Sequence, residues 1–428
     1  MVCAPRGFKA AGLWTGIKAG AVKRDLALIC SERPCTAAAV FTTNRVKAAS
    51  IIVSREHLEQ SGGRVRAVIA NSGNANACTG AAGLAAARRM AALAAEQLGI
   101  DPKEVAVAST GVIGVPLPIE KIEARAADLI AGLSLSHDNA LEAIMTTDTR
   151  KKTAAAGVTL PSMASQKPGP AAGTPDRQTS AGPDAAIQMG AMAKGSGMIH
   201  PNMATMICII TTDAAITAPL LDRALRRAVN RSFNRLTVDG DMSTNDIALI
   251  MANGAAGNAP IESEGPDYEA FAAALEGLCV NLTRQMARDG EGAGRLLTVT
   301  VQGAAREEDA ALLARTVAGS NLVKAACFGA DANWGRVLCA LGYAKPGGAG
   351  DALFEPEAVS VVFASAAGAI QVCGNGESFL FSEREAKRIL MEEEIDIDVT
   401  VGTGPGRAQA WGCDLTYDYV RINGDYRS

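Results

Sequence analysis

The segment Ala193-Lys194-Gly195-Ser196-Gly197-Met198-Ile199-His200-Pro201-Asn202-Met203-Ala204-Thr205-Met206-Ile207-Cys208-Ile209-Ile210 changes character midway. As far as Asn202 it is turn chemistry, with Pro201 pushing His200 toward an extended conformation. From Thr205 onward it reads as an apolar strand. A hydroxyl residue at the head of a buried strand, after a small residue and a constrained turn, suits self-cleavage. Attack of Thr205 Oγ on the Ala204 carbonyl turns the peptide into an ester, and water opens it. Thr205 then becomes a new N-terminus. Its α-amine, with an ordinary pKa of about 7.7–8.0, is a base for its own hydroxyl. No histidine is required, and the chain has only His57, His137 and His200. The same residues also describe an uncut buried strand that begins with Thr, and this segment alone leaves both readings open.

The elements that must position Thr205 follow from hydrophobic patterning. Short Val/Ile/Ala runs alternate with alanine-rich stretches, which predicts an α/β or α+β chain. Strands are expected at Leu26–Cys30, Ala38–Thr42, Val65–Asn71, Glu104–Ser109, Thr205–Thr212, Ile247–Ala252, Leu296–Gln302, Val359–Val362 and Asp396–Val401. Helices are expected at Gly80–Leu98 (opened by Thr79), Pro118–Gly132, Asp138–Thr146, Leu220–Arg231, Tyr268–Asp289, Arg306–Gly319 and Ser382–Glu393. Pro161–Pro183 is rich in Pro, Gly, Ser and Ala and is expected to be an irregular excursion.

Composition narrows the function classes. The 428 residues are 48% apolar and 20% charged, suggesting two or three lobes of a globular protein. Aromatics are only 4%, so aliphatic side chains must fill the core. A net charge of −4 with interspersed signs gives no footprint for nucleic acid or an anionic membrane. The ten cysteines are scattered without a C-x-x-C pair, which argues against structural metal and for a reducing compartment. The first 24 residues are basic and lack acids, as in a transit peptide, but no apolar region follows and cytoplasm is the expectation. Asp239–Asp246 resembles a calcium loop, yet its twelfth position is Ile250 rather than Glu. Gly402–Arg407 does not make G-x-G-x-x-G, and Gly190–Ser196 lacks the lysine position of a phosphate loop.

The 194–206 segment resembles the signature K-G-S-G-M-I-x-P-N-M-A-T-M of the ornithine acetyltransferase (glutamate N-acetyltransferase) family, the arginine-biosynthesis bifunctional type. Similar stretches recur at Gly7–Gly12, Phe41–Ala49, Asn71–Gly80, Ser109–Gly114, Thr146–Thr149, Asp239–Asp246, Arg288–Gly292 and Tyr419–Ser428. The resemblance implies an α/β fold with helices on paired sheets, of the self-cleaving N-terminal-nucleophile kind. It implies cleavage between Ala204 and Thr205 into an α chain 1–204 and a β chain 205–428, assembled as a heterotetramer of two of each. The 161–183 stretch then reads as an insertion. Thr205 matches the nucleophile, and Thr110 with Gly111 matches the oxyanion hole. Lys194, Thr149, Glu291, Asn423 and Ser428 match substrate contacts. Thr147 competes with Thr149, and Ser428 stands where the family commonly ends in Thr.

The implied reaction is ping-pong transfer of acetyl from N2-acetyl-L-ornithine to L-glutamate through acetyl-Thr205, in arginine biosynthesis. No cofactor is implied, and acetyl-CoA stays open as a second donor. Two other readings stand beside it: a self-cleaving amidase or aminopeptidase, and an uncleaved protein that binds acylated amino acids.

Overall fold

A computed structural model describes residues 1–18, 20, 22–164, 187–200, 206–345 and 353–425. Ala204, Thr205 and Ser428, and most of the expected 161–183 excursion, lie outside them.

Three sheets are formed by the described residues. The first orders Phe8–Leu13, Leu26–Ser31, Ala67–Asn71 and Val105–Ser109. The second orders Thr36–Phe41, Ile247–Ala252, Ile207–Thr212, Ile187–Lys194 and Lys152–Val158. These two pack face to face. Ala27, Ile29, Val68 and Ala70 of the first share a core with Ile207, Ile209, Leu249 and Met251 of the second. Because side chains alternate across a strand, the intervening residues point the other way and need a second cover. Leu28, Ile69 and Val107 pack outward beneath the helix Gly80–Leu98. Cys208, Ile210 and Ile250 pack outward beneath Ala218–Arg231 and Pro266–Arg288. Burial on both faces explains why Ile207–Thr212 and Ile247–Ala252 read as unbroken apolar runs.

The third sheet orders Glu377–Ser378, Gly368–Gly374, Ser360–Ser365, Glu394–Thr400, Leu296–Ala304 and Gly406–Cys413. It forms a separate core with Glu307–Ala318, Trp334–Gly342 and Glu383–Leu390. The α/β class with helices on paired sheets is therefore present. The spatial division does not follow residue 204: the second sheet takes strands from both sides of it.

Several boundaries differ from expectation. Pro118–Gly132 is two short helices, Ile119–Glu123 and Ala126–Ala131, rather than one. Pro161–Ala164, expected to be irregular, forms one helical turn. The strand expected from Thr205 is described from Ile207. Lys194, expected in turn sequence, closes the strand Ile187–Lys194. No helix among the described residues is long and apolar enough to cross a membrane.

Candidate active site

At one end of the second sheet, Lys194 is paired in register with Ile207, and Ile207 with Ile247. The turn after Lys194 therefore lies beside the head of the strand that follows Thr205. Across it stands the end of Val105–Ser109 in the first sheet, continued by Thr110 and Gly111. Gly111 sits at φ +131°, and a Cβ there would come within 2.4 Å of the Gly73 carbonyl carbon. A side chain is thus excluded by backbone, and the turn can take no residue but glycine without moving. Asn245 ties the two sheets together here, donating from Nδ2 to the carbonyls of Ala75 and Ser109, both at 2.7 Å.

A cavity of about 240 Å³ opens between these ends, lined in part by Thr110, Gly111, Thr147, Lys194, Glu291 and Asn423. Five of the family-matched positions thus converge: Thr110, Gly111, Lys194, Glu291 and Asn423. Thr149 does not line the cavity. Its hydroxyl donates to Asp289, and its N–H reaches the same carboxylate at 3.1 Å. Thr147 lines the wall instead, its hydroxyl 2.8 Å from that of Ser196.

Lys194 is 3% exposed, and its ammonium donates to Thr110 Oγ1 at 3.3 Å. The Thr110 hydroxyl, accepting on its oxygen from a cation, keeps its proton to donate and is polarised toward doing so. Burial lowers the Lys194 pKa, while the charges of Asp148, Glu291 and Asp246 oppose that shift. Asp148 is the nearest organiser. Its buried carboxylate accepts from Lys152 at 2.6 Å and from the Gly195 N–H at 2.8 Å. Burial would raise its pKa, but Lys194, Lys152 and these hydrogen bonds together hold it down at about 2. Lys152 also bridges to Asp289, the acceptor for Thr149. Thr149, itself exposed, is therefore tied to the buried Asp289–Lys152 pair behind the cavity wall rather than to the cavity.

Glu291 is drawn in from the opposite side. Its N–H donates to the Ser196 carbonyl at 2.8 Å, and its carboxylate accepts from Asn423 Nδ2 at 2.8 Å. Gly197 is what admits it, because a Cβ there would meet the Glu291 carboxylate at 2.2 Å. The turn Met198–Ile199 is pinned by Asp239, whose two oxygens accept both N–H groups. Asn423 reaches the cavity from the helix Tyr417–Gly424, an element absent from the expected set. Asp148, Asp239 and Asn245 were also missed as site builders. Their place inside the family-like stretches Thr146–Thr149 and Asp239–Asp246 was the only signal for them. Among the described residues no group of three or more His, Cys, Asp or Glu side chains is arranged to hold a metal.

The cavity thus sets a buried lysine and a hydroxyl on one wall against a carboxylate on the other. Residues 9–428 match the ArgJ family, and the chain belongs to that family. It is 50% identical to the arginine biosynthesis bifunctional protein ArgJ of Symbiobacterium thermophilum, over 100% of this chain and 98% of that protein. It is 47% identical to ArgJ 1 of Clostridium acetobutylicum, over 98% of this chain and 96% of that one. Among solved structures, the Bacillus halodurans ArgJ protein is 44% identical, covering 50% of this chain and 97% of its own, with a TM-score of 0.47. Ornithine acetyltransferase from Mycobacterium tuberculosis, solved with ornithine, is 35% identical over 48% of this chain and 95% of its own, with a TM-score of 0.37.

Proposed function

We propose that this chain is an ornithine acetyltransferase of arginine biosynthesis, working through a cut at Ala204–Thr205 and an acetyl-Thr205 intermediate. The observation that carries the reading is full-length kinship with ArgJ proteins at up to 50% identity. The cavity chemistry is consistent with it. Thr205 Oγ adds to the acetyl carbonyl of N2-acetylornithine. The negative charge that develops on the carbonyl oxygen falls to the Thr110 hydroxyl and the Gly111 N–H. The amide C–N bond breaks, and the proton taken from Oγ passes through the Thr205 amine to the departing ornithine nitrogen. The amine of glutamate then attacks the ester, and the same proton path runs in reverse.

Lys194 is the partner for a substrate carboxylate and Glu291 for a substrate ammonium, with Asn423 holding Glu291 in place. Thr147, on the cavity wall, takes the contact first assigned to Thr149. Ser428 is kept as a further substrate contact. Acetyl-CoA as a second donor, a cytoplasmic setting and an assembly of two α and two β chains complete the proposal. The test is an acetyl-transfer assay with each donor, with and without glutamate, beside a denaturing gel. Two bands and glutamate-dependent transfer support the reading. Acetate release without glutamate makes the chain a hydrolase, and one uncleaved band without turnover makes it a binding protein.

A further inference from the structure

Asp414 follows the strand Gly406–Cys413 and is 3% exposed. Cys413 stands in register opposite Leu296, and Asp414 carries that pairing one residue further, its N–H donating to the Arg295 carbonyl at 3.2 Å. Its Oδ1 accepts the N–H groups of Gly294 and Arg295, at 2.8 Å and 3.0 Å. Its Oδ2 has no hydrogen-bond partner among the described residues and lies 3.6 Å from the Arg295 guanidinium. Two residues on, the Thr416 hydroxyl donates to the Gly292 carbonyl at 2.7 Å. The turn 290–295 is thus held along its back by the segment 414–416. Gly292 permits the approach: it sits at φ +71°, and a Cβ there would come within 2.6 Å of the Tyr419 nitrogen.

The same turn carries Glu291, which lines the cavity. At the front, the Glu291 N–H donates to the Ser196 carbonyl and its carboxylate accepts from Asn423 Nδ2. Asn423 belongs to the helix Tyr417–Gly424, which starts directly after Thr416. Asp414 therefore grips the turn that carries Glu291 and leads, within three residues, into the helix that carries Asn423. Glu291 and Asn423 are 132 residues apart in the chain, and this junction is where their two segments are fastened together. Asp414 itself lines no part of the cavity. A support for the turn alone would need only its own two N–H bonds. What sets Asp414 apart is that the two segments it joins meet again at the cavity as one carboxylate–amide pair.

Resting on the reading that Glu291 receives a substrate ammonium, we propose that Asp414 is a positioning residue for the Glu291 carboxylate. By closing the turn 290–295 onto the segment 414–416, it sets how far Glu291 reaches across the cavity. It also keeps Asn423 within hydrogen-bond range of that carboxylate. Charge-assisted hydrogen bonds weaken steeply with misplacement, so a turn released at Gly294 and Arg295 lets Glu291 drift from its ligand. The loss falls on binding of the ammonium. The Thr110 and Gly111 end of the cavity keeps its own supports.

The test is a double-mutant cycle between Asp414→Ala and Glu291→Gln, read as KM and kcat for acetylornithine on purified folded protein. Asp414→Ala is expected to raise KM about five- to ten-fold, with kcat within about two-fold of wild type. In the Glu291→Gln background the same change is expected to raise KM less than about two-fold, because the carboxylate it positioned is gone. Asp414→Asn keeps an accepting oxygen and is expected to recover most of the lost affinity. A residue that only supports the fold would lower the yield of folded protein and leave KM unmoved, or shift KM equally in both backgrounds. Either result overturns the proposal. If Asp414→Ala does not fold, Thr416→Val takes its place in the cycle, with a smaller KM rise expected. An unchanged KM there, or an equal rise in both backgrounds, overturns the proposal in the same way. A wild-type KM in Glu291→Gln overturns the parent reading instead. A raised KM in Glu291→Gln beside a wild-type KM in Asp414→Ala overturns the positioning role alone, so the two failures are distinguishable.

Discussion

The two ends of the second sheet carry similar residues in opposite states. At the far end Asp213 is also fully buried, but both its oxygens are used. Oδ1 accepts the Gln188 N–H at 2.7 Å, and Oδ2 accepts the Arg6 N–H at 3.5 Å with the Arg6 guanidinium 3.9 Å away. Asn253 beside it donates to the Arg6 carbonyl and accepts from Ala255 N. Thr212 donates to the Gln188 carbonyl at 2.9 Å. Everything polar at that end is closed on itself. At the near end Lys194 is buried with a hydroxyl as its hydrogen-bond acceptor, and Asp246 Oδ2 has no hydrogen-bond partner among the described residues. The difference separates polar groups that hold the fold from polar groups kept for a ligand or a reaction. Burial alone does not mark a site, since both aspartates have it. An unpartnered polar atom does not mark one by itself either, since Arg66 Nε and Trp411 Nε1 lack partners and line no part of the cavity; Lys194 differs in lining it.

The largest effect expected of this contrast is at the near end. Thr205→Ala should remain a single polypeptide on a denaturing gel and lose acetyl transfer altogether. Next, Thr110→Ala should lower kcat by about 10²–10³ with little change in KM, read on the matured fraction. A normal kcat with raised KM would move Thr110 to substrate binding. At the far end, Asp213→Ala should cost about 1–3 kcal/mol in denaturant unfolding, because it strands the Gln188 N–H. Its folded fraction should keep the wild-type kcat. A large kcat loss there would erase the distinction between the two ends.

The twin threonines test the contrast more finely. Thr147→Ala should raise KM for acetylornithine several-fold and leave stability nearly unchanged. Thr149→Ala should do the reverse, because it removes a donor from Asp289 and touches no cavity surface. A KM effect confined to Thr149 would return the substrate contact to it.

The smallest effect concerns acid. Asp148 is held at about 2, below the ordinary aspartate value of 3.8. A depressed carboxyl contributes stability fully above its unfolded pKa and loses it as pH falls through the folded one. That contribution, on the order of 2 kcal/mol, should fade between those two values. Asp148→Asn should melt lower at neutral pH and show a flatter Tm across that window. Equal slopes for both proteins would place the acid sensitivity elsewhere.

What the sequence made legible was governed by burial pattern. Ile247–Ala252 and Gly80–Leu98 match the expected bounds because a two-sided strand and a long alanine-rich helix leave strong local signals. Lys152–Val158 and Ile187–Lys194 were missed. Their Lys, Gly, Ala and Gln residues lack strand character, and pairing with each other and with Ile207–Thr212 is what holds them extended. Family motifs marked Thr110, Lys194, Glu291 and Asn423, which the fold brings to one cavity. They left Thr147 and Thr149 unresolved, because residues two apart on a turn can face different ways and only the packed structure separates them. They included Asp246 in the stretch Asp239–Asp246 but gave it no role, because its hydrogen bond to Met206 spans forty residues of chain.

The most direct test of the account is to incubate the purified protein with N2-acetylornithine and no glutamate, quench in acid, and read peptide masses from the digest. The account predicts a peptide that begins at Thr205 and carries one acetyl group, lost when glutamate is added before the quench. An acetyl group on any other residue, or a Thr205 peptide still joined to Ala204 in active protein, would contradict it.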